Sequence, residues 1–244
     1  MPRKSDGMEN RDEATGLTET LRGIATSSYM TLFGTTSFLG REREAPSSLP
    51  FSLSELPYAV SIGFGLSDTV MDSLVDRPTR TYQYHYRQVN LFIDETLLRI
   101  LGKIHELGYK GFPVPSSQII NWESNTGHLA HKFVAKEAGL GWMGRNNLLV
   151  SPAYGARVRY GSLLTNMPLE APTAISAQNC GECFRCLKAC PASAIGETRE
   201  NFNLGKCTDM LKLFSKEENI GSMICGLCIK ACMGSQSYTG NTSE

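Results

Sequence analysis

Cysteine is absent from the first 179 residues; all eight in the chain fall between Cys180 and Cys232. Excess charge of either sign is also missing, since 24 Lys plus Arg balance 24 Asp plus Glu. A zero balance excludes a protein that grips nucleic acid through its overall field, although a local basic patch stays open. No apolar run reaches the roughly 18 residues that a membrane helix requires. The opening stretch, "MPRKSDGMENRDEATG", has charge but no apolar segment and no twin arginine, so it does not read as a secretory signal. Residues 1–16 are therefore expected to be a flexible tail, and the protein cytoplasmic. Thiols stay reduced in that compartment, so a disulfide framework is excluded and metal ligation is the stronger inference.

At 244 residues the chain has room for one large domain or two modest ones. A short helix followed by a strand near Met30 to Phe33 comes first, and "YAVSIGFGL" has the composition of a buried strand. Residues 82–107 form a long helix in which Leu97, Leu98, Leu101, Ile104 and Leu107 mark the buried face, and Gly108 stops it. After the proline-punctuated "GFPVPSSQ", a second helix is expected over residues 127–138, with Ala130, Phe133, Val134 and Ala138 on one side and His128 and His131 sharing a face. "LLV" and "ARVRYGSLLTN" then read as a strand pair joined by "SPAYG". The expected class is α+β: an α/β core over residues 17–170, then a cysteine-rich region over 171–238. No internal repeat appears beyond the two cysteine groups.

The first group is C-x2-C-x2-C-x3-C-P, made of Cys180, Cys183, Cys186, Cys190 and Pro191. The second is Cys207 followed by Cys225, Cys228 and Cys232. Three thiolates at x2 spacing wrap three corners of one cubane, and the fourth, three residues on, ligates the other cluster. Applied twice, this assigns one [4Fe–4S] cluster to Cys180, Cys183, Cys186 and Cys232, and the other to Cys190, Cys207, Cys225 and Cys228. A pair of structural zinc sites is the alternative, but zinc needs neither a third cysteine at x2 nor the proline-terminated run. Such clusters pass single electrons, and a two-cluster carrier needs only about 60 residues. The long region before the cysteines therefore asks for a job.

"AGLGWMGRNN" holds Gly139, Gly141 and Gly144 in a formal G-x-G-x-x-G. A dinucleotide site needs a strand before those glycines and a helix after them; here the order is reversed, so that site is excluded. Gly139 reads as a helix C-cap, and the other glycines either form a tight structural turn or admit something flat or bulky.

"HKFVAKEAGLGWMGRNNLLV", then "RYGSLLTNMPL", then the two cysteine groups with Cys207 isolated between them, resembles the epoxyqueuosine reductases and, more distantly, the reductive dehalogenases. "YQYHY" at Tyr82 to Tyr86 is a weaker match to the same family. The resemblance covers about residues 20 to 236 and implies a nitroreductase- or reductive-dehalogenase-like core beside a ferredoxin-like double [4Fe–4S] domain. It implies cobalamin or a related corrinoid held base-off, which the absence of a D-x-H-x-x-G motif suits. By resemblance, Gly139, Gly141, Trp142, Gly144, Arg145 and Asn146 would line the corrinoid pocket, and the residues after Cys207 would lie between cluster and corrinoid.

Two departures qualify that expectation. The family's proton-donating aspartate falls at Asn125 here, and an amide cannot donate a proton as a carboxylic acid does. His131 and Lys132, beside Asn125, become the candidates for substrate or cofactor contact, with Glu123 and His128 as further substitutes for the acid. Second, the helical-repeat extension common in tRNA-acting relatives does not follow Cys232. Together with zero net charge, this argues for a small-molecule substrate and against tRNA. The expected function is a corrinoid-dependent reductase fed by an external low-potential electron donor. The rival is an electron-transfer or accessory protein that keeps no corrinoid and reduces a partner or its corrinoid, with a flavin in a nitroreductase-like pocket as a third course.

Overall fold

The structure is a computed structural model that describes residues 4–45, 48–121, 126–172, 178–217 and 220–235. Asn125 and Glu123 lie outside the described residues. Packing groups the chain into two units, each gathered from separated stretches. One comprises Met1–Phe64, Asn90–Leu140 and Tyr160–Ile175; the other comprises Gly65–Val89, Gly141–Arg159 and Ser176–Glu244. Two stretches upstream of residue 170 thus group with the cysteine-rich residues.

The first unit is built on a four-stranded sheet. Its strands are β1 (Leu32–Ser37), β2 (Tyr58–Gly65), β3 (Gly111–Val114) and β6 (Val158–Thr165), in the order β1-β2-β6-β3. β1 pairs antiparallel with β2, Leu32 opposite Gly63, and β3 pairs antiparallel with β6, Gly111 opposite Thr165. The inner strands β2 and β6 are buried along most of their length, and small polar residues, Ser61, Ser162 and Thr165, are buried in them beside the apolar ones.

Helix α1 (Lys4–Ser27) packs on β1. It takes in residues 4–16, where composition gave a tail, and its buried positions Thr18, Leu21 and Ala25 follow helical spacing. Helix α3 (Arg80–Glu106) buries Val89, Ile93, Leu97, Ile100 and Ile104. That stripe is rotated from the expected one, because Leu98 and Leu107 are 58% and 40% exposed. The close fit of α3 to the sheet explains the rotation: a Cβ on Gly161 of β6 would lie 2.3 Å from Ile93 Cγ2 and 3.0 Å from Leu97 Cδ1. Gly108, at φ +83, ends the helix, with Tyr109 N–H donating to Ile104 O.

Helix α4 (His131–Glu137) starts later than expected. His128 lies outside it, its Nδ1 3.1 Å from Ser48 O, so His128 and His131 do not share a helical face. Gly139, at φ +75, closes α4 as a C-cap, with Leu140 N–H donating to Ala135 O. Phe38, Leu53, Leu56, Val114, Leu129, Val134 and Leu164 form the core of this unit.

The second unit has short elements only. They are α2 (Asp68–Asp72), the hairpin β4 (Trp142–Met143) with β5 (Leu149–Val150), α5 (Arg185–Lys188), α6 (Leu204–Glu217) and α7 (Leu227–Lys230), besides the first turns of α3. β5 pairs with β4, Val150 opposite Trp142, and not with β6 as the sequence indicated. The "SPAYG" turn instead closes on itself through the Ser151–Gly155 bridge.

Candidate metal and cofactor site

All eight cysteines lie within the second unit, and none of them is in a disulfide. Cys183 N–H donates to Cys180 O at 3.0 Å, folding the first C-x2-C into a turn, and α5 then carries Cys186. Cys190 ends that segment, its Sγ accepting from Ala194 N–H at 3.3 Å. Cys207 sits inside α6, whose start is capped by Asn203 Oδ1 accepting from Lys206 N–H. Cys228 lies in α7 and Cys232 just beyond it.

The mutual influence of the thiols separates them into two sets. Burial pushes Cys186 up to about 11, and the neighbouring thiols Cys232, Cys180 and Cys183 add to the rise. Cys232 is likewise raised by burial and by Cys180 and Cys183, against the pull of the Gly234 and Ala156 N–H groups. On the other side, burial raises Cys225 to about 11, opposed by Leu227 N–H and reinforced by Cys207 and Cys190. Cys207 is raised by burial and by Cys190. Cys228 is raised well above its ordinary value, first by burial and then by Cys225, Cys207, Cys186 and Cys190. Cys186 and Cys232 are thus both raised by Cys180 and Cys183, Cys225 and Cys207 by Cys190, and Cys228 by Cys186 as well as by Cys190. Among the described residues no three His, Cys, Asp or Glu side chains are gathered tightly enough to hold a single metal ion. Buried thiols crowded against one another resist ionisation, and bound iron supplies the positive charge that reverses this.

Two arginines hold the loops that carry these thiols. Arg145 donates from Nη2 to Gly181 O at 2.7 Å, from Nη1 to Cys183 O at 2.9 Å and from Nε to Glu197 O, and its guanidinium stacks 4.4 Å over Phe184. A cleft of about 240 Å³ opens beside it, lined by Met143, Asn179, Cys180, Glu197 and Arg199 among others. Arg157, nearly buried, donates to Lys230 O from Nη2 at 2.7 Å and from Nε at 3.1 Å, and pairs with Asp68 at 2.5 Å. Lys230 Nζ in turn donates to Leu74 O at 2.6 Å. At Gly155, with φ +59, a Cβ would lie 2.0 Å from Cys232 O, so only glycine lets the Cys232 loop seat there. Sequence reasoning assigned none of these roles to Arg157 or Gly155, because their partners are backbone carbonyls.

The glycine-rich loop has structural reasons of its own. At Gly141 a Cβ would lie 2.1 Å from Val150 O, so this glycine serves the β4–β5 hairpin. Gly144 N–H donates to Leu148 O at 2.8 Å, closing that hairpin. Arg145 is committed to the cysteine loop. What the loop leaves unused are two buried donors, Trp142 Nε1 and Asn146 Nδ2, neither of which has a partner. Buried N–H groups of this kind are the capacity a polar-rimmed cofactor would satisfy.

In the first unit His131 is fully engaged. Its Nε2 faces Pro115 O at 3.1 Å, and its Nδ1 faces Ser162 Oγ at 3.0 Å. A carbonyl only accepts, so Nε2 carries a proton, and the ring ties α4 to β6 rather than standing free. Lys132 is half-buried beside it in the first turn of α4.

No family model matches the chain. An epoxyqueuosine reductase of Listeria monocytogenes is 46% identical over 78 residues, which are 32% of this chain and 20% of that protein. Another, from Pseudomonas aeruginosa, is 26% identical over 163 residues, and the match takes in 42% of that protein. The chain therefore spans less than half the length of these curated relatives. Among solved structures, a catabolic reductive dehalogenase in complex with 3-bromo-4-hydroxybenzoic acid superposes with a TM-score of 0.68 at 17% identity, over 86% of this chain and 31% of that one. An epoxyqueuosine reductase bound to an epoxyqueuosine-modified tRNA-Tyr stem loop superposes with a TM-score of 0.59 at 20% identity, over 94% of this chain and 67% of that one.

These findings overturn the expectation of a small substrate and the argument against tRNA: the relatives are named epoxyqueuosine reductases, and one similar structure of that name holds an epoxyqueuosine-modified tRNA stem loop. A balanced total does not bear on this point, because phosphate contacts, where a protein makes them, come from local groups. Among the described residues no helix is long and apolar enough to cross a membrane. In its sequence matches and in its mixed helix-and-sheet fold, shared with both reductase groups, the chain is epoxyqueuosine reductase-like.

Proposed function

We propose that the chain is an iron–sulfur oxidoreductase in which two [4Fe–4S] clusters deliver electrons for a reductive step on a modified nucleoside carried by tRNA. The observation that carries this reading is the spacing of the eight cysteines, all in the second unit, as C-x2-C-x2-C-x3-C-P and then Cys207 followed by C-x2-C-x3-C. The donor set fits two cubanes in chemistry and number. Residues 171–238 would form the ferredoxin-like cluster domain, completed by the Arg145 and Arg157 segments. A base-off corrinoid, when bound, supplies the reductive chemistry at cobalt. The unpartnered Trp142 Nε1 and Asn146 Nδ2 are the donors that would meet its polar rim. Gly144 would belong to the same loop, while Gly139, His131 and Lys132, which belong to the first unit, stay candidates for cofactor or substrate contact.

A second reading is favoured by Asn125, which stands where the resemblance expects the proton-donating aspartate. In it, the protein passes electrons to a partner and keeps no corrinoid. Anaerobic reconstitution with iron and sulfide, incubation with hydroxocobalamin and gel filtration separate the two. Co-eluting base-off cob(II)alamin beside two cubane EPR signals, with turnover of an epoxyqueuosine-bearing tRNA stem loop, supports the reductase. Two clusters without retained corrinoid support the carrier. The Cys207→Ala protein is expected to keep the cluster held by Cys180 and lose its neighbour; full iron content in that variant would sink the crosswise assignment.

A further inference from the structure

The two loop-holding arginines differ in one respect. Arg157 has a carboxylate against it, Asp68 at 2.5 Å, with Asp72 at 3.5 Å. Arg145 donates only to backbone carbonyls, and among the described residues no carboxylate lies within ion-pair distance of it. Two of those carbonyls, Gly181 O and Cys183 O, belong to the loop that carries Cys180 and Cys183. Cys180 and Arg145 also line the same cleft. A cation without a carboxylate in ion-pair distance among the described residues is thus fixed against the Cys180 loop, by three hydrogen bonds and a ring stack that leave it little freedom to swing away.

We propose that Arg145 is a positioning residue that raises the reduction potential of the cluster held by Cys180, Cys183, Cys186 and Cys232. The inference rests on the two-cluster reading above. The step is the entry of one electron into the cluster, supplied in the test by dithionite, with no bond or proton change at the cysteines. A cluster with four thiolates is anionic and becomes more so on reduction, so a fixed cation favours the reduced form. The guanidinium is charged at any working pH, so its contribution does not titrate. The cluster held by Cys190, Cys207, Cys225 and Cys228 has no bond to Arg145 and acts as an internal reference.

The test is an EPR-monitored redox titration of the reconstituted full chain, with Cys207→Ala used to assign the signals. Arg145→Gln is expected to make the Cys180-set cluster about tenfold harder to reduce, which for one electron is about 59 mV. The reference cluster should stay put. Arg145→Lys keeps the charge without the planar fork and should restore most of the potential, an outcome a purely structural role would not give. Equal shifts in the Lys and Gln proteins, or no shift in either, would overturn the proposal. If the Gln protein does not hold the cluster, Asn179→Asp decides, since its retained oxygen still accepts from Gly181 N–H while adding a negative charge to the cleft. A lowered potential in that protein supports the role of local charge, and an unmoved one overturns it. A wild-type protein that takes up zinc, or only one cluster, fails the cluster reading first. Two clusters whose potentials ignore Arg145 fail this inference alone.

Discussion

In the sheet-bearing unit Leu21, Phe38, Ile62, Ile93, Leu97, Ile100, Leu163 and Leu164 are removed from solvent to under 2%. In the cysteine-bearing unit the large side chains buried to that degree are Met71, Leu74 and Tyr82, all from the stretch before residue 90. The described residues of 178–235 contribute none to that degree, although Ile195, Phe214, Ile220, Ile224 and Leu227 are buried there at 6–7% exposure. What fixes that stretch is of another kind: guanidinium groups on carbonyls, an ammonium on Leu74 O, and glycines that admit backbone at Gly155 and at Gly226, where a Cβ would lie 2.7 Å from the Tyr82 ring. One unit is ordered by apolar packing. The other joins a smaller apolar core to directed polar bonds around its cysteines.

Removing iron should break that contrast most widely. Without metal, amide exchange across residues 178–235 is expected to rise by orders of magnitude while β2 and β6 stay protected, as metal binding and folding are linked. Equal loosening in both units would mean that the sheet also depends on the clusters. Next in size, Ile93→Ala should cost about 2–5 kcal/mol in denaturant unfolding. Its iron content should remain that of the wild type if the two kinds of order are separate. Arg157→Met should cost less, about 1.5–3 kcal/mol, since it deletes charged bonds to Lys230 O while keeping apolar bulk. Its effect should appear as slower cluster uptake rather than a weaker sheet.

The smallest effect expected is a slope with pH. Burial lowers the pKa of His85 below its usual 6.5, and its neutral Nε2 accepts from Ser67 N–H at 3.1 Å. In the unfolded chain the imidazole titrates near its usual value, so below pH 6.5 and down to the folded pKa the unfolded state binds more protons. The stabilisation is complete above pH 6.5 and declines as pH falls through that window. Urea midpoints measured from pH 7.5 to 5.5 should show a shallower decline in His85→Gln, and an unchanged slope would remove His85 from the account.

The spacing of the cysteines is legible in the sequence because it is local: three thiols within seven residues can reach one centre, whereas the residues that seat their loops, Arg145, Arg157 and Gly155, come from distant segments. β2 and α3 were legible for the same reason, as pattern follows backbone period. The buried face of α3 was not, because Leu97 and Leu98 are equally apolar and only Gly161 of β6 decides which turns inward. His131 looked like a reactive group because no periodicity reveals that Pro115 O and Ser162 Oγ occupy both its nitrogens. Arg145 was assigned to a cofactor pocket through resemblance, while its partners in the structure are carbonyls of the cysteine loop. A carbonyl is present at every residue, so nothing in a sequence marks which one an arginine will use.

The interleaving of the chain has a consequence for how the protein is made. The cysteine-bearing unit needs residues 65–89, 141–159 and the segment after 176, and the last of these leaves the ribosome last. Arg145, Arg157 and Gly155 are synthesised before any thiol, so the seats for both cysteine loops exist before the loops do. A cysteine-rich fragment expressed alone would therefore lack the residues that shape it.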